Sequence, residues 1–237
     1  MNESIHLSTQ FDADLERLRS KVLEMGGLVE AQINLTTKAY AENNSKAVLD
    51  VLENDYDVNA FEKSIDDDCI HIIAKRQPTA SDLRLVMSIS KMVTDLERSG
   101  DEIKKMAKSI RRIQERDVTA LKATTDVRHL AEAASLQVRN ALDTFARLDA
   151  DEARSVIGKD DSLDKEFKAI IRQLITFMME DPRTITTALD IITIARAIER
   201  VGDHAKNLAE QVIYIVEGRD IRHLDDDNYT KQDDSRS

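Results

Sequence analysis

The sequence predicts an all-α protein built as two similar three-helix bundles, six long helices in all, from an internal duplication. Three observations predict it. Glu97-Arg98-Ser99-Gly100-Asp101 and Glu199-Arg200-Val201-Gly202-Asp203 are near copies set 102 residues apart. Lys104 and Ala107 answer Lys206 and Ala209 downstream. Upstream, Leu83, Met87, Ile89 and Met92 keep register with Ile185, Leu189, Ile191 and Ile194. The only prolines, Pro78 and Pro182, precede the two segments by nearly equal distances, so the likeness reads as a repeat. The composition is the second observation: 41% hydrophobic with 4% aromatic, no Trp, two Pro and six Gly supplies a core but few turns, which excludes most all-β folds. The third is apolar residues recurring at three- and four-residue steps, the helical period.

That period marks a first helix from about Ser8 to Ala41, with Phe11, Leu15, Leu18, Val22, Met25, Val29, Ile33 and Thr36 along one face. Gly26-Gly27 inside it implies a kink or a close helix contact. Asn43, Asn44 and Ser45 form a turn. A second helix runs from about Lys46 to Arg76 through Leu49, Leu52, Tyr56, Ile65, Cys69 and Ile72. Gln77-Pro78-Thr79 breaks it, and Thr79 or Ser81 caps a third helix that ends near Glu115. The second half repeats the plan: a fourth helix from about Thr125 to Leu148 and a fifth from Ala150 to Met179. Asp181-Pro182 supplies an N-cap and first-turn proline for a sixth helix ending at Glu217, before Gly218. The expected divisions are a first bundle over 1–116, a second over 117–218 and an acidic disordered tail over 219–237.

A net charge of −11 argues against nucleic acid as a partner and leaves metal cations and basic protein surfaces. The single Cys69 forms no intramolecular disulfide and suits a core position in a reducing cytoplasm. No basic leader and no apolar run of the ~18–20 residues a membrane span needs is visible, so the expectation is a soluble chain.

The chemistry points to the carboxylates of the repeat. Four residues along a helix complete slightly more than one turn, so Glu97 and Asp101 share a face, as do Glu199 and Asp203. Such a pair alone says little, since 45 acidic residues in 237 give roughly eight or nine by chance. What distinguishes these two is recurrence, their place at the edge of the apolar stripe, and a glycine mid-helix, where it costs about 1 kcal/mol relative to Ala. Gly100 and Gly202 therefore imply close approach of a neighbouring helix. The preceding helices offer Asp55-x-x-x-Asn59 and Asp160-x-x-x-Asp164, which in antiparallel hairpins would face the two pairs. Oxygen-only sets of this kind suit Mg²⁺, Ca²⁺, Mn²⁺ or ferric iron. The alternative is that Arg98 and Arg200 neutralise the charge without a metal. The five histidines do not recur between halves, Glu3-Ser-Ile-His6 is the only Glu-x-x-His, and no glycine-rich phosphate loop or nucleophile elbow is present.

Over about His6 to Glu217 the chain resembles the PhoU family of phosphate-uptake regulators. The resemblance is carried by Phe11-Asp12-x-Asp14-Leu15, Met25-Gly26, Arg76-Gln77-Pro78-x-x-x-Asp82-Leu83-Arg84, and above all Leu96-Glu97-Arg98-x-Gly100-Asp101 with Ile198-Glu199-Arg200-x-Gly202-Asp203. It implies the same two-bundle fold and multinuclear metal (iron, manganese, zinc or magnesium) on Glu97, Asp101, Glu199, Asp203, Asp55, Asp160 and Asp164; Asn59 departs from the acidic pattern. It further implies a non-enzymatic, cytoplasmic negative regulator, often a homodimer, linking a phosphate transporter ATPase to a phosphate-sensing histidine kinase. A carboxylate-bridged metalloenzyme or metal store on a helical bundle is the competing reading of the acidic pairs, and a purely structural scaffold a further one.

Overall fold

Apolar side chains at helical spacing make α1 (Asn2–Ala41) one long helix, whose inward stripe runs through Leu18, Val22, Met25, Val29, Ile33 and Thr36, all buried. The computed structural model describes residues 2–53, 55–116 and 124–221, and the backbone alone of residues 2–9, 53, 55, 56, 124, 125 and 160. Regular structure among these residues is entirely helical. After α1 come α2 (Ser45–Glu53), α3 (Asp55–Arg76), α4 (Ala80–Glu115), α5 (Thr124–Arg147), α6 (Ala150–Gly158) and α7 (Asp160–Glu180). A 3₁₀ turn (Pro182–Thr184) then leads into α8 (Ile185–Glu217). The expected second and fifth helices each occur as two consecutive helices. Lys159, with φ −83° and ψ −12°, interrupts the fifth. Two details differ from the sequence reading. The buried face of α2 is Val48 and Val51, leaving Leu49 exposed. Thr79 stands at the N-cap of α4, but its hydroxyl donates to Asp82 at 3.1 Å instead of accepting from the helix backbone.

The turns use the residues their geometry demands. Asn43 adopts φ 52°, and Asn44 caps α2 by accepting from the Ala47 N–H at 3.2 Å. Asp149 caps α6 by accepting from Glu152, and Asp181 accepts from Arg183 with Pro182 in the first turn. Gly218 ends α8 at φ 71°, a left-handed conformation that suits glycine. Residues 219–221 follow with Ile221 buried; the rest of the tail, and the boundary at 117–123, lie outside the described residues.

The two halves lie side by side and share one continuous core. α4 and α8 form the most extensive helix pair, and α1 and α5 pair beside them, while α3 packs on α4 and α1 and α7 on α8 and α5. α4 and α8 run antiparallel: Arg112 meets Asp190 at 2.7 Å, Arg200 donates to Glu102 at 3.1 Å, and Asn207 donates to Asp95 at 3.1 Å. α1 and α5 also run antiparallel, with Arg139 on Glu30 and Ser135 donating to Asn34. Because residues 102 apart are equivalents, these pairings place Gly100 opposite Gly202 on a pseudo-two-fold axis through the molecule.

The glycines differ in how tightly they are held. A Cβ on Gly100 would meet Val58 at 3.4 Å, ordinary contact, whereas one on Gly202 would meet Leu163 at 3.1 Å and Gln137 at 3.3 Å. On Gly26 it would overlap Leu142 at 2.4 Å, so close contact with α5 explains that position; Gly27 has open space. Alanine scanning with thermal melts should therefore rank the sites. Gly100→Ala is expected to be neutral or stabilising by up to ~1 kcal/mol. Gly26→Ala should destabilise by ~1–3 kcal/mol through overpacking, with Gly202→Ala between them. The reverse order would refute close approach as the reason for these glycines.

Candidate functional site

Helical spacing alone aligns each carboxylate pair; the antiparallel hairpins decide what they face. Between α3 and α4 the Ser90 hydroxyl donates to Asp66 at 3.0 Å. Further along the same pair, Val58 packs against Gly100, which lies between Glu97 and Asp101 in the chain. Between α7 and α8 the Arg196 guanidinium lies 5.1 Å from the Phe167 ring centre, Leu163 packs against Gly202, and Asp164 lies near enough to Glu199 to act on its charge. The side chains of Asp55 and Asp160 lie outside the described set.

Glu97 and Glu199 are half-buried at the edge of their helices' apolar stripes, and Asp101 and Asp203 are exposed. Burial pushes the Glu199 carboxyl above its ordinary value, and the negative charges of Asp203 and Asp164 push it further; Arg196 and Arg200 oppose them only in part. Asp164 is also held by Lys168 at 2.5 Å, one turn along α7. In the first half the group under the same pressure is Glu62, raised first by burial, then by Asp66, with Asp101 adding to it. Glu62 and Asp66 form a further Glu-x-x-x-Asp pair, which the sequence reading passed over. It has no copy in the second half, where Phe167 and Ile171 hold the matching positions by the hairpin register of α7, so recurrence could not reveal it.

These sets are oxygen-only and crowded with like charge, the donor chemistry of a hard cation. Among the described residues, though, no three acidic, histidine or cysteine side chains stand close enough to hold a metal as placed. Completing either set requires Asp55 or Asp160.

The arginines of the repeat do something the sequence did not suggest. Both reach the outer seam between α4 and α8, where a cleft of about 390 Å³ is lined by Arg98, Asp101, Glu102, Lys105, Arg200, Asp203 and His204. Arg200 donates across the seam to Glu102, a buried carboxylate whose same oxygen accepts from Lys105 at 2.7 Å. His204 pairs with Asp95 at 3.0 Å. The two motif aspartates, one from each half, open onto this shared cleft.

Comparison with known proteins settles the family. The PhoU domain model matches twice, over residues 22–110 and 127–212, one match in each half. The chain belongs to the PhoU family. It is 48% identical over 219 residues to the phosphate-specific transport system accessory protein PhoU homolog of Pseudomonas putida, covering 92% of this chain and 85% of that one. The crystal structure of PhoU from Pseudomonas aeruginosa superposes with a TM-score of 0.85 at 47% identity, over 88% of this chain and all of that one. A second crystal structure, of the phosphate transport system regulatory protein PhoU from Streptococcus pneumoniae, gives a TM-score of 0.82 at 25% identity, over 89% of this chain and 99% of that one. As a PhoU protein it is an accessory protein and not an enzyme, which sets aside the metalloenzyme reading. No helix of the described residues is long and apolar enough to cross a membrane.

The raised carboxyl of Glu199 has a testable consequence. Its folded form holds a proton more tightly than the unfolded chain does. The stabilisation from that proton is present below the unfolded value and is lost as pH rises through the raised folded one. At pH 7 the ionised group therefore opposes folding. Glu199→Gln should raise the melting temperature at pH 7 in chelator-treated protein, and the gain should shrink toward pH 4. An equal or lower melting temperature at pH 7 would contradict this electrostatic account.

Proposed function

We propose that this protein is a negative regulator of phosphate uptake and of phosphate-starvation signalling in the cytoplasm. It acts by binding, as an adaptor between a phosphate transporter ATPase and a phosphate-sensing histidine kinase. Family membership supports the connection with phosphate, since its relatives carry the names of a phosphate-transport accessory protein and a phosphate transport regulatory protein. The observation that carries the adaptor reading is a duplicated exposed apolar face. Leu83 and Met87 on α4 and Ile185 and Leu189 on α8 occupy equivalent positions, and all four are exposed. Ile70 on α3 and Ile175 on α7, likewise exposed, lie level with them in the hairpin registers. Six such side chains, grouped threefold in each half, are the composition of contact surfaces. A homodimer would present four of these faces.

Metal belongs to the proposal as well. Glu97 and Asp101 with Asp55, and Glu199 and Asp203 with Asp160 and Asp164, would hold iron, manganese, zinc or magnesium, with Glu62 and Asp66 adjoining the first set. A bound cation would supply positive charge that neutralises the carboxylates and rigidifies the hairpins. The protein's own residues orient that charge at the edge of the α3–α4 and α7–α8 grooves.

Two measurements test this. Deleting the gene should leave phosphate-starvation genes expressed in phosphate-rich medium. The full chain, and a version ending at Gly218, should restore repression in a phosphatase reporter; continued repression in the deletion strain would remove the regulatory reading. Elemental analysis after metal reconstitution should show Glu97→Ala/Asp101→Ala and Glu199→Ala/Asp203→Ala each losing roughly half the bound metal. Unchanged content in the quadruple variant would remove these ligands.

A further inference from the structure

The cleft between α4 and α8 lies on the pseudo-two-fold axis, and its lining carries more cationic donors than the ion pairs on Glu102 use. Arg98 and Arg200 are equivalents from the two halves that converge on one opening. Arg98 has no hydrogen-bond or ion-pair partner among the described residues, and Arg200 uses one donor, on Glu102, with about half its side chain exposed. Lys105 is similarly exposed and shares the same Glu102 oxygen. Two guanidinium groups and an ammonium thus border a space of about 390 Å³ with most of their donors free to reach a ligand. Guanidinium groups match the oxygens of a tetrahedral oxyanion with paired, charge-assisted hydrogen bonds.

Asp101 and Asp203 sharpen the choice of oxyanion. An ionised carboxylate only accepts hydrogen bonds. Facing a fully deprotonated anion such as sulfate, these two groups repel it. Facing an oxyanion that keeps a hydroxyl near neutral pH, one of them accepts from that hydroxyl while the arginines donate to the remaining oxygens. Inorganic phosphate keeps such a proton; sulfate does not.

We propose that the dyad cleft binds protonated inorganic phosphate, with Arg98, Arg200 and Lys105 donating to its oxygens and Asp101 or Asp203 accepting from its hydroxyl. One ion sits on the axis and touches both halves, so its binding joins α4 to α8. The proposal rests on the regulatory reading only in taking phosphate as the oxyanion to try first.

The test is calorimetric titration of the full chain, freed of metal by chelation, with sodium phosphate and with sodium sulfate at pH 7 and constant ionic strength. Saturable binding of one phosphate per chain is expected, with sulfate weaker by about tenfold or more, the scale of one charge-assisted hydrogen bond gained against a like-charge contact. Arg98→Gln, which breaks no hydrogen bond or ion pair among the described residues, should weaken phosphate by about tenfold or more while leaving the thermal melt unchanged. Asp101→Asn/Asp203→Asn should narrow the gap between phosphate and sulfate. No phosphate binding at tens of millimolar, equal affinity for sulfate, or full affinity in Arg98→Gln would each overturn the proposal. The reporter measures regulation and the titration measures the cleft, so either reading can fail while the other stands.

Discussion

The antiparallel pairing of α4 with α8 is what makes two copies of one sequence into a single protein. Apolar contact along the seam supplies the larger share of its stability, but apolar contact is tolerant of sliding. Three buried carboxylates remove that tolerance. Asp190 is held by Arg112 and Arg116, Glu102 by Lys105 and Arg200, and Asp95 by His204 and Asn207. A shift of one turn would take both partners from Asp95, one from Asp190, and Arg200 from Glu102, and stripping buried carboxylates of partners costs several kcal/mol, whereas the formed pairs contribute little net attraction. Their role is to fix register. Where the register ends, Arg84 lies against Gly218 so closely that a Cβ there would stand 2.1 Å from its guanidinium, tying the start of α4 to the end of α8.

Everything at the candidate site depends on that register. With Gly100 opposite Gly202, the two Glu-Arg-x-Gly-Asp turns sit across from one another, and their aspartates and arginines meet at one opening. Gly202 lets α7 approach closely, with Asp164 near Glu199, while in the first half α3 brings the acidic turn of Glu62 and Asp66 toward Asp101. Carboxylates from flanking helices and cations from the central pair are thereby layered across a single face. Each half supplies both, and the cleft itself is lined from the two halves together.

The sequence made the helices and the repeat legible because both are local: periodicity, two prolines, a terminal glycine and four identities suffice. The end of α8 at Glu217 and the cap at Asp181 follow from residue chemistry within one turn. What escaped it depends on neighbours distant in the chain. Arg98 and Arg200 looked like counter-ions for their own helix faces; only the crossing of α4 and α8 turns them into a shared cleft. Glu62 and Asp66 have no counterpart in the second half, so recurrence does not reveal them. The exposure of Leu83, Met87, Ile185 and Leu189 was invisible too, since an apolar residue at helical spacing reads as core until packing shows which side is covered.

If the α4–α8 seam unites the halves, they must unfold together. Native-state hydrogen exchange resolves this residue by residue. The slowest amides of α4 and α8 should open with one common free energy, and Asp190→Ala, a change confined to the second half, should lower it equally in both helices. Loss of protection in α8 with α4 left intact would mean that two independent bundles merely touch, and the account of a single core organised around Gly100 and Gly202 would be wrong.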